Sequence, residues 1–270
     1  MKYYLYNKLS NNGIKPDFKE DMTVIDCVGL DYQKFFDDLC EDDEVVLVGG
    51  DGTVNYFINA LDTSKIKNKV YYLARGTGND FLNDLGRDKD EEIPLNDLIQ
   101  DLPTVYVNGL EKKFINGIGY GIDGYCCEAA DKIKEKKSNA KINYTSIAIK
   151  GLLFYYKPTH AKITVDGEVF EYDNVWLAPS MKGKFYGGGM MIAPMQDRKN
   201  KTLSVVIYKC KSKIKTLMVF PSIFKGEHVK KEDMVKIHTG TDILVEYTKP
   251  CALQIDGDTV LNVSSYRVKA

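Results

Sequence analysis

The sequence predicts an α/β domain followed by a β-rich, sandwich-like domain, and two patterns predict it. Over the first hundred residues, short apolar runs alternate with stretches of helical spacing, as parallel βαβ units do. Beyond Leu102-Pro103 strand-like runs dominate, and turns such as Asp166-Gly167 and Asp256-Gly257 punctuate them, as antiparallel hairpins require. The boundary is placed after residue 103, giving domains of residues 1–103 and 104–270.

In the first domain, residues 2–6 read as a strand and residues 7–13 as a polar loop, with Asn7, Ser10, Asn11, Asn12 and Gly13. Residues 23–28 form a second strand. Residues 31–40 have helical spacing in Tyr32, Phe35, Phe36 and Leu39. Residues 44–48 are a compact apolar strand ending in Gly49-Gly50, residues 54–61 a helix, and residues 70–74 another strand ending in Arg75-Gly76. In the second domain, strands are expected at 104–108, 113–117, 161–165, 174–178, 203–208, 234–238, 243–247, 252–255 and 266–268. Two helices, 123–137 and 141–155, interrupt them.

Composition narrows the function classes. The formal net charge of −1 argues against nucleic acid, whose binders draw affinity from a basic excess. Six cysteines without a Cys-x-x-Cys pair, and three histidines not spaced as ligands, argue against a structural zinc site and fit free thiols in a reducing cytoplasm. The N-terminus runs into a strand without a signal-peptide core, and residues 144–156 are too short, and interrupted by Lys150, to span a bilayer. The expectation is a cytoplasmic protein for which peripheral membrane contact stays open.

The most informative segment is Val45-Val46-Leu47-Val48 running into Gly49-Gly50-Asp51-Gly52-Thr53. Glycines let a backbone turn sharply and approach a ligand, and amides at the following helix N-terminus cradle phosphate. A bare carboxylate at Asp51 would repel phosphate, so its presence points to a bridging Mg²⁺. The plain alternative is a sharp strand-to-helix turn with Thr53 near the N-cap. The second loop, Gly76-Thr77-Gly78-Asn79-Asp80-Phe81, repeats the pattern after Tyr71-Tyr72-Leu73-Ala74-Arg75. In a parallel sheet both loops fall at carboxyl ends of strands, where ligands bind. Two such loops in adjacent βα units are hard to explain by turn chemistry alone. Neither is a P-loop, since no Gly-x-x-x-x-Gly-Lys-[Ser/Thr] occurs.

Together these loops resemble the diacylglycerol kinase catalytic-domain superfamily, which includes bacterial soluble lipid kinases and the sphingosine and ceramide kinases. The first loop is shared with NAD kinases; the second, with Asn79-Asp80-Phe81, looks like lipid kinases. The likeness continues through the chain. Residues 7–13 stand at the family's Asn-Pro-x-Ser-Gly loop, Phe114 to Gly119 and Gly121-Ile122-Asp123 at the start of its second domain, Tyr186-Gly187-Gly188-Gly189-Met190 and Ala193-Pro194 at another signature, and Leu253-Gln254-Ile255-Asp256-Gly257-Asp258 at its C-terminal motif. The resemblance implies an α/β nucleotide-binding domain followed by a β-rich lipid-substrate domain, with the active site in the cleft between them, and ATP and Mg²⁺ as co-substrate and cofactor.

The resemblance also implies roles. Gly49, Gly50, Gly52, Gly76 and Gly78 hold phosphates, with Thr53, Thr77 and Asn79 as further donors. Asp51 and Asp80 are the expected metal ligands. Asn7 and Asn55 are candidate nucleotide contacts, with turn or helix polarity as the alternative. Asp258 stands where the family has a Glu as general base; it is about 1.5 Å shorter, one C–C bond, and an ordinary Asp-Gly hairpin turn with an exposed Asp258 is the alternative. Gly187, Gly188, Gly189 and Met190 are candidate lipid-substrate contacts, with a simple loop entering a strand as the alternative. The sequence departs from the family elsewhere. Lys8 replaces Pro, Lys182 replaces Asn, residues 104–108 lack an Asp, and Lys199, Asn200 and Lys201 fill an Asp-Asp-Gly stretch associated with a structural metal, so that metal is not expected here. The basic cluster Lys132, Lys134, Lys136, Lys137 and Lys141 is diluted by Glu128, Asp131 and Glu135 and reads as a solvated helix face, with contact to anionic lipid as the alternative.

The expected function is an ATP-dependent lipid kinase at the inner face of the membrane, with diacylglycerol as first acceptor. Its partner is the lipid surface, with no nucleic acid, and the resemblance is compatible with a homodimer. The alternatives are an NAD kinase-like kinase of a soluble small molecule and a catalytically weak nucleotide- or lipid-binding homologue.

Overall fold

Burial along the first hundred residues follows the alternation of strand and helix. The computed structural model describes residues 1–9, 17–76, 78–136 and 142–270, and the chain divides into two compact units, Met1–Leu102 with Gly187–Gly189, and Pro103–Tyr186 with Met190–Ala270. The first unit runs β1 (Lys2–Tyr6), β2 (Thr23–Asp26), α1 (Tyr32–Asp37), β3 (Glu44–Gly49), α2 (Asp51–Ala60), β4 (Lys69–Ala74), α3 (Asp80–Leu85) and β5 (Glu92–Pro94). Its sheet has the order β2-β1-β3-β4-β5, parallel except for β5. Val45, Val46, Leu47 and Val48 are at most 1% exposed, as the centre of a parallel sheet requires.

Helix boundaries move for local reasons. The Asp31 carboxylate accepts the Lys34 amide, so α1 begins at Tyr32. The helix α2 begins at Asp51, earlier than the apolar spacing indicates, and buries Val54, Phe57 and Ile58. Of the predicted loop 7–13, residues 10–13 lie outside the described residues, as do Thr77, Lys137 and Lys141.

The second unit contains β6 (Thr104–Val107), β7 (Leu110–Lys113), β8 (Gly117–Tyr120), α4 (Ile122–Lys136), α5 (Tyr144–Lys150), β9 (Thr159–Val165), β10 (Glu168–Leu177), β11 (Ser180–Met181), β12 (Phe185–Tyr186), β13 (Met190–Met191), β14 (Leu203–Lys209), α6 (Lys213–Val219), β15 (Val235–Gly240), β16 (Asp242–Ile255) and β17 (Asp258–Lys269). The large sheet runs β7-β6-β17-β16-β8-β11-β14-β10-β9, with β15 on β14. Residues 243–247 of β16 pair with β9 and residues 253–255 with β8, so the sheet curls back on itself. Side chains from both halves, among them Phe114, Tyr120, Ile163, Val205 and Tyr266, fill the interior. The expected class, an α/β domain followed by a β-rich one, is what the chain adopts.

Three expectations change. The strand predicted at 113–117 is broken: β7 ends at Lys113, the amides of Ile115 and Asn116 donate to the Asp256 carboxylate, and Gly117, which also donates to it, opens β8. The strands 243–247 and 252–255 are one strand, β16, whose register against β17 shifts between Glu246 and Cys251. The helix expected at 141–155 is α5, begun at the Asn143 cap, followed by a π turn over Gly151–Tyr155. The short helix α6 and the 3-10 turns Phe220–Lys225 and Glu227–Lys230 had no periodic signal long enough to read. No helix among the described residues is long and apolar enough to cross a membrane. All six cysteines are free.

Candidate active site

The sequence places Asn7, Gly50-Asp51 and Arg75-Gly76 after β1, β3 and β4, and parallel pairing sets these ends side by side. The Asn7 amide donates to the Val48 carbonyl at 3.1 Å, and the Arg75 amide donates to the Gly49 carbonyl at 2.7 Å. Glycine is required where the loops meet. A Cβ on Gly76 would lie 2.4 Å from the Cα of Gly50, and one on Gly50 would lie 3.0 Å from the Cα of Gly76. A Cβ on Gly49 would fall 2.2 Å from the Thr53 hydroxyl. By contrast, nothing lies within 4 Å of the Cβ position on Gly52, and only the Cα of Gly188, at 3.9 Å, near that on Gly78.

Asp51 joins the loops electrostatically. Its Oδ2 accepts the amides of Asp80 at 2.7 Å and Phe81 at 3.3 Å, at the start of α3. Asp80, 5% exposed, in turn accepts the Gly188 amide at 2.8 Å and the Gly189 amide at 2.6 Å, one on each carboxylate oxygen. Gly187, Gly188 and Gly189 all have positive φ, which glycine adopts without penalty, and this aims successive amides at one acceptor. Met190 is half-buried and pairs with Tyr186. Thr53 and Asn55 are buried, and the Thr53 hydroxyl accepts from Asn7 Nδ2 at 3.2 Å. Asn79 sits at φ 47°, and its buried Oδ1 has no hydrogen-bond partner among the described residues. No side-chain cap closes the N-terminus of α2.

In the second unit, the C-terminal motif splits into two roles. Asp256 and Gly257 have φ of 45° and 101° and form the tight turn between β16 and β17. Asp256 accepts three amides, from Ile115 at 2.6 Å, Asn116 at 3.0 Å and Gly117 at 2.9 Å. Asp258 points outward with its side chain 67% exposed and is ion-paired to Lys112 of β7.

Families of known proteins match almost the whole chain. The diacylglycerol kinase catalytic domain matches residues 13–106, and the YegS C-terminal NAD kinase beta sandwich-like domain matches residues 116–267, over half the chain. The chain belongs to the diacylglycerol kinase superfamily. A Mycobacterium tuberculosis protein named diacylglycerol kinase is 27% identical over 200 residues, 71% of this chain, and the match spans 63% of that relative's length. A Bacillus subtilis protein of the same name is 24% identical over 229 residues, 82% of this chain and 72% of the relative. A crystal structure of a diacylglycerol kinase from Bacillus anthracis str. Sterne superposes with a TM-score of 0.65 at 19% identity, covering 99% and 93% of the two chains, and shares the fold.

Within this diacylglycerol kinase fold, sequence reasoning missed the environment of Asp123, in the first turn of α4. Burial pushes its carboxyl up to about 7, opposed by the Tyr186 hydroxyl, which donates to it at 2.5 Å. The Gly121-Ile122-Asp123 motif marked the position but not the shift, which comes from packing. Packing likewise sets the roles of two buried cations, Lys182, read in the sequence only as a departure from the family, and Arg198. Lys182, 8% exposed, donates through Nζ to the Asn200 carbonyl at 2.9 Å. Arg198, 9% exposed, donates to the Ile115 carbonyl at 2.5 Å and the Asn116 side chain at 3.0 Å.

Proposed function

We propose that this chain transfers the γ-phosphate of ATP to the hydroxyl of a lipid, with diacylglycerol as the first acceptor to test, at the cytoplasmic face of a membrane and without a nucleic-acid partner. One observation carries the reading. Two glycine loops at adjacent strand ends are pressed together at Gly50 and Gly76 and tied by Asp51. Membership of the diacylglycerol kinase superfamily, and relatives that bear that name, support the lipid acceptor.

A nucleotide triphosphate fits the loops. The start of α2 has no side-chain cap, and Gly52 and Gly78 leave room for a close approach, so helix amides and dipole favour phosphate there. The fit to a metal is narrower. Asp51 and Asp80 both accept backbone amides, and no cluster of three or more His, Cys, Asp or Glu side chains suited to a metal exists among the described residues. A metal would therefore be held mainly by phosphate oxygens and water, with Asp51 as its protein ligand and Asp80 behind it. When bound, Mg²⁺ supplies charge neutralisation for in-line transfer.

Asp258 is the proposed base that takes the proton from the acceptor hydroxyl. Lys112 beside it orients the carboxylate, and the turn at Asp256-Gly257 fixes the backbone that presents it.

The test is radiolabelled phosphate transfer from ATP with Mg²⁺ to micelles of diacylglycerol, ceramide, sphingosine or phosphatidylglycerol, with NAD as a soluble comparison. It uses wild type, Asp51→Ala, Asp258→Asn and Asp258→Glu. Transfer to one lipid that Asp51→Ala and Asp258→Asn abolish is the expected result. Transfer to NAD alone, or ATP binding without turnover on any acceptor, sinks the proposal.

A further inference from the structure

Two stretches of the second unit contain no carboxylate side chain. Asp and Glu are absent between Glu135 and Asp166, and again between Asp197 and Glu227. In a chain whose formal net charge is −1, these stretches are wholly cationic.

The fold brings them together. Lys213, at the start of α6, donates through Nζ to the Leu153 carbonyl in the π turn at 2.8 Å. Both elements turn apolar side chains outward. Phe154 and Tyr155 are 71% and 68% exposed, and Ile214 and Met218, one helical turn apart, are both 69% exposed. The inward faces are already satisfied, since Leu152 is buried and Leu217 packs on the core. Single exposed apolar side chains are ordinary. Four on two joined elements are not, and Lys150, Lys157 and Lys225, all exposed, flank them. Lys211 and Lys215 also line a cavity with Asp173 and Asp233, so their charge is partly offset.

We propose that the face formed by the π turn and α6 docks this chain on an anionic lipid bilayer. Aromatic and aliphatic side chains enter the headgroup boundary while lysines meet anionic lipid, and each such lysine raises partitioning about fivefold. The charge pattern selects this occupant, because a cationic rim around an apolar centre complements a negatively charged apolar surface. The inference rests on the lipid-kinase reading for its purpose, and the docking itself is independent of turnover.

The experiment is co-sedimentation of the full chain with vesicles of phosphatidylcholine alone or with about 30 mol% phosphatidylglycerol. It compares wild type with the double variants Phe154→Ser/Tyr155→Ser, Ile214→Ser/Met218→Ser and Lys150→Glu/Lys157→Glu. Wild type is expected to bind the anionic vesicles at least about tenfold better than neutral ones, less so at high salt. Each double variant is expected to lose about tenfold or more at unchanged melting temperature. Wild type that stays in the supernatant, or apolar variants that sediment like wild type, overturn the proposal. Phosphate transfer to a short-chain, monomeric diacylglycerol separates the two ideas. Transfer without vesicle binding removes the docking face and leaves the kinase reading, whereas salt-sensitive vesicle binding without transfer does the reverse.

Discussion

The carboxylate of Asp51 accepts the backbone amide of Asp80 at 2.7 Å, so the residue that opens α2 also caps α3. One side chain thereby holds the two glycine loops in register. Asp51→Ala is predicted to cost about 1–2 kcal/mol of stability through the lost cap. Asp51→Asn keeps an acceptor oxygen and should recover most of that stability, yet stay as inactive as Asp51→Ala. Denaturant melts beside a transfer assay separate the two effects; equal stability of Asp51→Ala and wild type would contradict the capping role.

Gly76 and Gly52 differ in what surrounds them, and their alanine variants should differ accordingly. Gly76→Ala places a Cβ 2.4 Å from the backbone of Gly50, which must move, so both folding stability and ATP affinity should fall. Gly52→Ala meets nothing in the protein, and its φ is not in the left-handed region. It should melt like wild type or slightly higher, and bind ATP about tenfold or more weakly if phosphate lies against that glycine. Unchanged ATP binding by Gly52→Ala would show that phosphate lies elsewhere.

Much of this was legible in the sequence, and the rest was hidden for physical reasons. Buried parallel strands announce themselves as continuous apolar runs, so β3 and β4 and the glycine turns after them could be read directly. The purpose of Asp51 could not: its charge suggested a metal, but its capping of α3 depends on a strand order that periodicity does not reveal. The strand expected at 113–117 failed because its amides serve a carboxylate more than a hundred residues away, at Asp256. Asp123 and Lys182 could be picked out only as positions in family motifs, and Arg198 not at all, because the roles of all three come from burial.

Asp123 should make stability depend on pH. Its folded-state carboxyl titrates near 7, above the ordinary value of 3.8, so between about pH 4 and 7 the folded chain holds a proton that the unfolded chain releases. Stability from this group is full below pH 4 and is lost as pH rises through 7, with a slope of at most about 1.4 kcal/mol per pH unit. Asp123→Asn cannot ionise and should flatten the profile over that window. Urea melts of both proteins at pH 5 and pH 8 decide it; parallel profiles would rule the account out.

Arg198, and Lys182 through the Asn200 carbonyl, bring positive charge to the segment around residue 200, and this has a consequence for chelators. Treating the nucleotide-free protein with a chelator should leave its melting temperature unchanged. Lys182→Met should destabilise it by about 1–3 kcal/mol, because the Asn200 carbonyl loses a charged donor. A chelator-induced drop in wild-type melting temperature would mean that a metal shares this work.

Asp256 and Asp258, two residues apart, should give opposite phenotypes. Asp256 accepts three backbone amides, from Ile115, Asn116 and Gly117, so Asp256→Ala removes a carboxylate that satisfies several donors and should cost about 3 kcal/mol or more. Asp258 is exposed and makes one ion pair, with Lys112, worth about 0–1 kcal/mol, so Asp258→Ala should melt close to wild type. Its transfer rate should nevertheless fall by about a hundredfold or more if it is the base. The mixed outcome is the informative one. A stable Asp258→Ala that retains full turnover would leave the hairpin as a purely structural turn and place the base elsewhere.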